Sequence, residues 1–114
     1  MKQREDLSVI ADLEELLEVV LGTHVPFTDC DGTYIADGDD YTLSIAIADD
    51  TLEILNIETH GARRMGSDIV TAIHSVADDY ELEVMAKKVQ SSAIGFWTKM
   101  GYEEGSENGV YHRT

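Results

Sequence analysis

Hydrophobic residues follow a helical period in the first part of the chain. From about Asp6 to Leu21 they recur every three or four positions, which predicts an amphipathic helix, and Gly22 stands where a helix-ending glycine is expected. The apolar face consists of Ile10, Leu13, Leu17 and Val20. Thr23 to Asp31 shows no clear period and contains the only proline, so we predict a loop there.

Beyond Gly32 the period changes to two, which predicts strands. We expect antiparallel strands over Thr33–Asp37, Tyr41–Ala48 and Leu52–Thr59, joined by turns rich in aspartate. One face of the second of these strands carries small residues, and this would let a helix pack closely against it.

The remaining pattern predicts two more helices, one further strand and a closing hairpin. A helix from about Ser67 to Asp79 leads into a strand over Leu82–Ala86, and a crossover of this kind makes that strand parallel to the strand ending at Thr59. A last helix, Ser92 to Met100, precedes the hairpin. The sequence therefore predicts an α/β (α+β) fold, a single domain over residues 1–114, with a mixed sheet of five to six strands and three helices.

Charge is the most unusual property of the composition. Asp and Glu number 23 against 8 Lys and Arg, so the formal net charge is −15. Such a field repels nucleic acid and anionic membranes, and we predict neither as a partner. Either a basic partner or a solvent of very high salt would account for so much acid. The acidic pairs are scattered over turns and element ends, which favours a protein of halophilic origin.

Cysteine and histidine usage argues against a metal site. The single Cys30 excludes an internal disulfide, and the four histidines lack ligand spacing. Asp29, Asp31 and Gly32 do not fit a calcium loop, because its first ligand position would fall on Phe27. No apolar run approaches 18 residues and no signal segment begins at Met1, so we predict a cytoplasmic protein.

The connection after the strand ending at Thr59 is a candidate phosphate site. Residues 52–66 read LEILNIETHGARRMG, which is a strand followed by a loop with two arginines at the start of a helix. Unpaired amides and the positive end of the helix dipole can hold phosphate oxygens, and Arg63 and Arg64 add charge. Taken alone, this stretch is better explained as an ordinary solvated connection, because strand-loop-helix joints are common and most bind nothing.

Residues 90–102, QSSAIGFWTKMGY, carry a more specific signal. They resemble the last core helix of the Gcn5-related N-acetyltransferase (GNAT) family, which commonly reads Asn-x-x-Ala-x-x-Phe-Tyr-x-x-x-Gly-Phe. Three positions match, namely Ala93, Phe96 and Gly101. Three are substituted, with Gln90 for the asparagine, Trp97 for the tyrosine and Tyr102 for the final phenylalanine. The predicted order of elements from residue 6 to 113 also agrees with this family.

The resemblance implies a cleft for acetyl-CoA. In the family, the strand before the phosphate loop splays from the next strand, the gap takes the pantetheine arm, and the pyrophosphate sits on the loop and the following helix N-terminus. It implies these cofactor-binding residues: Ile57, Thr59, Arg63, Arg64, Met65, Gly66, Ser67, Gln90, Ser92 and Phe96.

The phosphate loop departs from the family pattern Gln/Arg-x-x-Gly-x-Gly/Ala. In one register Gly61 takes the first position, Arg64 replaces the middle glycine and Gly66 is last. In the other, Arg63 is first, Gly66 is the middle glycine and Asp68 stands at the final small residue. A side chain at the middle position crowds the diphosphate, and Asp68 adds negative charge near it.

The proton-transfer groups depart as well. Trp97 stands where many members of the family have a tyrosine as general acid, and an indole has no acidic proton. Glu53 or Glu58 is a candidate base, acting directly or through water, but such glutamates are more often solvated strand residues in so acidic a chain. The catalytic residues are therefore left unassigned. The family's usual first strand has no counterpart before the first helix.

Two hypotheses follow for function. The first is an N-acetyltransferase acting on an unidentified amine of a small molecule or a protein. The second is a non-catalytic GNAT-like module in a halophilic or viral assembly. Val110 and Tyr111, on an expected edge hairpin, suggest pairing with a second copy or an assembly partner.

Overall fold

The computed structural model describes residues 6–60 and 64–113. Its helices are α1 (Asp6–Leu21), α2 (Met65–Asp79) and α3 (Ile94–Lys99), and a 3₁₀ turn (Ser91–Ala93) leads into the last. Its strands are β1 (Phe27–Cys30), β2 (Thr33–Asp37), β3 (Tyr41–Ala48), β4 (Thr51–Thr59), β5 (Glu83–Ala86), β6 (Tyr102–Glu104) and β7 (Tyr111–Arg113). None of these helices is long and apolar enough to cross a bilayer.

The strands form one mixed sheet in the order β1-β2-β3-β4-β5-β7-β6. All neighbouring pairs are antiparallel except β4 and β5, which are parallel, as the helix crossover requires. The predicted α+β architecture with one parallel pair is therefore confirmed, although the sheet has seven strands where five to six were expected.

The core lies between one face of the sheet and the two long helices. On β3 the large residues Tyr41, Leu43 and Ile45 are fully buried, and α1 and α2 contact each other on the side that these residues face. The small residues between them, such as Ser44 and Ala46, are only half-buried. The core therefore forms on the face with the large residues, and not on the small-residue face where close helix packing was expected. Burial of the larger side chains removes more apolar surface from water, which favours the observed arrangement.

Two sequence predictions about the sheet are corrected. The segment expected to be all loop contains β1, which pairs only with β2, and the Phe27 amide donates to Glu14 of α1 at 3.0 Å. An exposed edge strand of four residues shows little periodicity, which explains why the pattern missed it. Tyr111 lies on the inner strand β7 and is buried, so the free edge of that hairpin is β6.

Candidate cofactor site

A β-bulge divides β4 into two parts. Against β3, Ile54 pairs with Ile45 and Asn56 pairs with Ser44, so Leu55 has no partner across the ladder. The extra residue brings Ile54 and Ile57 to the same face of the sheet, although a regular strand would send residues three apart to opposite faces. A bulge also bends the strand that carries it, and the bend lies where β4 parts from β5.

β4 and β5 pair over four residues and then separate. The ladder runs from Thr51 opposite Glu83 to Ile54 opposite Ala86, and a last hydrogen bond of 2.9 Å joins the Lys87 amide to the Ile54 carbonyl. β4 continues to Thr59 while paired only with β3. The two parallel strands therefore diverge in a V, as the resemblance predicted.

The chain after β5 is held away from β4 by the closing hairpin. The Val89 amide donates to the Gly109 carbonyl at 2.9 Å, and a Cβ at Gly109 would come within 3.6 Å of the Val89 backbone. Lys88, just before it, has a φ of 57°. A left-handed conformation of a non-glycine residue costs about 1–3 kcal/mol and persists where surrounding contacts impose it. The hairpin turn thus fixes one wall of the V.

The V encloses a cleft of ≈ 260 Å³. Its first wall is the splayed part of β4, residues 54–58, and its second wall is the segment after β5, residues 87–90. Ser92, Ala93 and Trp97 contribute the side formed by the 3₁₀ turn and α3. The residues that follow the last paired positions of β4 and β5 are therefore among those that line the cleft.

An aromatic cluster supports the α3 side of the cleft. Trp97 is buried and makes edge-to-face contacts with Phe96 and Tyr102, at centroid distances of 5.1 and 4.8 Å. Trp97 thus lines the cleft where the family motif has a tyrosine. Its indole N–H has no acidic proton, so the residue shapes this wall without serving as a general acid.

His74 of α2 completes this cluster. Its ring stacks on Tyr102 at 5.6 Å, and its Nε2 atom shares a hydrogen bond of 2.7 Å with the Tyr102 hydroxyl. The pKa of His74 is lowered to about 4, chiefly by burial and next by the Arg113 charge, while the Asp78 charge partly opposes both. Burial also raises the pKa of Tyr102. Both groups are therefore neutral at pH 7 and form a structural contact behind Trp97.

The N-terminus of α2 faces the α3 side of the site. The helix begins at Met65, two residues earlier than predicted, and Arg64 is its N-cap without a side-chain capping bond. The first intrahelical bond described runs from the Asp68 amide to the Arg64 carbonyl at 3.0 Å. The amides before Asp68 belong to the turn that lacks intrahelical acceptors. An added methyl group at Gly66 would touch the Phe96 ring at 3.4 Å, which ties this turn to α3.

The predicted cofactor residues fall into three groups. Ile57, Gln90 and Ser92 line the cleft itself. A second group forms or contacts the first turn of α2, namely Arg64, Met65, Gly66, Ser67 and Phe96. Thr59 lies at the open end of β4 beyond the lining residues. Arg63, together with Gly61 of the alternative loop register, lies outside the described residues.

Lys87 and Lys88 line the cleft and were not predicted to do so. The chain has only four lysines, so two adjacent ones directly after β5 were the available signal. Lys87 Nζ lies 2.9 Å from Glu53 Oε2, and this ion pair engages one of the two candidate bases. The other candidate, Glu58, lines the cleft.

Positive charge is concentrated around this site. Lys87 and Lys88 line the cleft, Arg64 caps the helix beside it, and Arg63 precedes Arg64 in the sequence. These are four of the 8 basic residues in a chain of net charge −15. A strongly acidic protein that gathers its cations at one cleft has a local field suited to an anionic ligand. The opposing charges nearby are Asp68, Glu58 and Glu53, the last of which is paired with Lys87. No group of acidic, histidine or cysteine side chains suited to a metal ion occurs among the described residues.

Solved structures of low sequence identity share this architecture. The anti-CRISPR protein AcrVA5 matches with a TM-score of 0.61 at 14% identity, over 73% of this chain and 99% of its own. PaiA N-acetyltransferase from Thermoplasma acidophilum, in complex with coenzyme A, matches at 0.54 and 13% identity, over 70% of this chain and 57% of its own. Naa50 from Arabidopsis thaliana, with the bisubstrate analogue CoA-Ac-MVNAL, matches at 0.54 and 15% identity, over 96% of this chain and 93% of its own.

The chain has the GNAT fold. No family model matches the sequence, and no curated protein sequence matches it either. The likeness is therefore one of backbone architecture. The GNAT fold accounts for the cleft between β4 and β5 and for the helix that begins beyond its open end.

Proposed function

We propose that the protein is an N-acetyltransferase that binds acetyl-CoA in the cleft between β4 and β5 and transfers the acetyl group to an amine. The observation that carries the proposal is the separation of the two strands after Ile54 and Ala86 into a cleft of ≈ 260 Å³. Similar structures solved with coenzyme A or a CoA-based bisubstrate analogue support the choice of ligand.

The residues of the site fit the two chemically distinct parts of this ligand. The pantetheine arm carries amide groups on an apolar chain, and the free edge of β4 after Ile54 offers backbone donors and acceptors beside Ile57. The diphosphate is anionic, and the first turn of α2 offers amides next to Arg64. In this arrangement Gln90 and Ser92 contact the arm from the opposite wall, and Thr59, Met65, Gly66, Ser67 and Phe96 border the phosphate end.

Acyl transfer to an amine depends chiefly on positioning. Acetyl-CoA supplies an activated acyl group, so the protein has to hold the thioester carbon against the amine and exclude competing arrangements. Trp97 is held in the aromatic cluster by two edge-to-face contacts and forms part of the cleft wall. A site of this kind accelerates transfer without a tyrosine at position 97.

The acceptor is an amine of a small molecule or a protein. Because α1 and α2 cover one face of the sheet, the acceptor approaches the thioester from the other face, where Ser44, Ala46 and Glu53 are only half-buried. The carboxylates around this face attract a cationic amine.

Calorimetry with acetyl-CoA and with CoA, in the salt concentration that the protein needs, tests the proposal. We expect saturable binding with a dissociation constant between low micromolar and sub-millimolar. The absence of heat and of any thermal shift at millimolar ligand would refute the proposal. That result would instead favour a non-catalytic GNAT-like module.

Variants at the phosphate end test where the diphosphate binds. Gly66→Trp should abolish binding, because its side chain would fill the space between the first turn of α2 and Phe96. The double variant Arg63→Ala, Arg64→Ala should weaken binding by removing two cations. Lys99→Ala, an exposed change outside the cleft, is the matched control. Unchanged affinity in both phosphate-end variants would show that the diphosphate binds elsewhere.

A further inference from the structure

The closed end of the cleft contains a cation that the family resemblance did not anticipate. Lys87 follows the last residue of β5, and its amide makes the final hydrogen bond to β4 before the strands part. Its side chain lines the cleft, and its ammonium group is 2.9 Å from the Glu53 carboxylate. An ammonium has three donors, so two remain after the bond to Glu53. Lys87 is therefore anchored where the V begins.

The reactive end of the ligand reaches this point if the proposed function holds. The diphosphate end lies beyond Thr59, and Thr59 is five positions after Ile54. Strand geometry makes this a path of about 16 Å. An extended pantetheine arm that starts at the first turn of α2 and follows β4 thus brings its sulfur towards Ile54 and Lys87.

We propose that Lys87 is a catalytic residue whose ammonium group stabilises the leaving thiolate. Transfer forms a C–N bond between the acceptor amine and the acetyl carbon and breaks the C–S bond, with its electron pair leaving on sulfur. The amine proton passes to water at the open face of the sheet, and the thiolate later takes a proton from water. Lys87 supplies fixed positive charge beside the developing anion, which is the contribution missing at Trp97.

The charged groups around this end of the cleft determine the size of the effect. Lys87 and Lys88 favour the thiolate, whereas Glu58 on the opposite wall and Glu53 beside Lys87 disfavour it. Glu53 is a positioning residue in this account, because it holds the ammonium group through a direct ion pair and partly cancels its charge.

The thiol pKa of bound CoA provides a test that does not depend on turnover. Thiolate absorbance, followed against pH at saturating CoA, should give a bound thiol pKa about one unit below that of free CoA. Lys87→Met should remove this shift, Lys87→Arg should retain it, and Lys99→Met should leave it as in the wild type. In acetyl transfer, Lys87→Met should lower kcat about tenfold with little change in KM.

A second variant keeps the test decisive if Lys87→Met loses CoA binding. Glu53→Gln keeps an oxygen that can accept from Lys87 but removes the negative charge, so the bound thiol pKa should fall below the wild-type value. In the double variant Lys87→Met, Glu53→Gln the bound thiol pKa should then lie above that of Glu53→Gln alone, because the ammonium charge is removed as well. Equal thiol pKa values in these two variants, or a wild-type value in Lys87→Met, would overturn the role of Lys87. If wild-type protein does not bind CoA at all, the proposed function itself is wrong. If it binds CoA but the thiol pKa does not respond to Lys87, only the role of Lys87 is wrong.

Discussion

The two halves of β4 differ in strand pairing and in burial. The first half, Thr51–Ile54, pairs with strands on both sides and buries Leu52 and Ile54 completely or almost so. The second half, beyond the bulge at Leu55, pairs only with β3, and its residues are half-buried or exposed. The first half holds the sheet together, whereas the second leaves a free strand edge beside a cleft.

A single inserted residue accounts for this difference. Both halves carry isoleucines that face the same side, yet Ile54 and Ile57 are three residues apart because Leu55 is extra. In this chain, a bulge that bends β4 and the end of β5 at Ala86 together open the cleft.

Deletion of Leu55 should produce the largest loss of CoA affinity, because it removes the residue that makes the two halves of β4 differ. The deletion restores regular alternation while Ile54 and Ile57 keep their partners Ile45 and Leu43. We expect a folded protein with a straighter β4 and a loss of CoA affinity of a hundredfold or more, measured by calorimetry. Circular dichroism and denaturant unfolding check the fold. A folded deletion variant that still binds CoA normally would contradict the role of the bulge.

Truncation of one isoleucine in each half should separate their energetic roles. Ile54→Ala removes a side chain that is 1% exposed and should cost about 2–4 kcal/mol of unfolding free energy. Ile57→Ala, at a half-buried position lining the cleft, should cost about half as much or less, and it should also weaken CoA binding. Denaturant titration measures both losses. Equal losses would show that the second half of β4 is as tightly packed as the first.

Removal of the cations around the open half should reduce affinity for anionic ligands. Arg64→Ala combined with Lys88→Ala should weaken CoA binding about tenfold at moderate salt and less in concentrated salt, because salt screens the attraction. Isothermal calorimetry at two salt concentrations measures both effects. Lys99→Ala, which removes one positive charge outside the cleft against two in the double variant, shows the effect of net charge alone. An affinity that is the same in the double variant and the control would mean that the clustered cations do not face the ligand.

We expect acid to lower the stability of the fold through protonation of His74, which packs behind the cleft wall. The pKa of His74 is about 4 in the folded protein against 6.5 for the free side chain. Between these values the unfolded chain binds a proton that the folded protein excludes, so this contribution to stability is full above pH 6.5 and is lost as pH falls towards 4. The loss should be about 1–2 kcal/mol after allowance for solvent exposure.

The control for this effect is His74→Gln, which cannot titrate. Unfolding free energies measured from pH 7 to pH 4 should show a smaller decline in this variant than in the wild type. Asp78 contributes only at lower pH, because its hydrogen bond from Arg113 lowers the pKa of its carboxyl group below the usual value. Parallel declines in the two proteins would mean that the contact between His74 and Tyr102 does not exclude the proton.

Most of the fold could be predicted because periodicity reports burial. The helical period of α1 and the alternation in β3 and β4 gave elements close to those observed, and the parallel pair followed from the α2 crossover. β1 could not be predicted, because both of its faces are largely exposed and its sequence FTDC has no apolar alternation. Tyr111 was assigned to an edge because local patterning cannot determine which strand of a hairpin pairs with β5.

Residues of the cleft were anticipated where the family resemblance names them, and Lys87 and Lys88 were missed because their place depends on strand pairing. Gln90, Ser92 and Phe96 came from the helix motif, and Gly66 came from the loop pattern. Lys87 enters the cleft only because β5 ends at Ala86, which depends on pairing with β4. The bulge had a local signal, since Ile54, Leu55 and Ile57 cannot all alternate in a regular strand.

The central claim is that the divergent part of β4 and β5 is the coenzyme site. Backbone amide NMR of ¹⁵N-labelled protein during titration with CoA tests it most directly. We expect saturable changes in amide chemical shift that are concentrated in residues 55–59, 64–67 and 87–92. Changes should be small in the paired half of β4 and in β1 and β2. Saturable changes confined to other regions, or none at millimolar CoA, would contradict it.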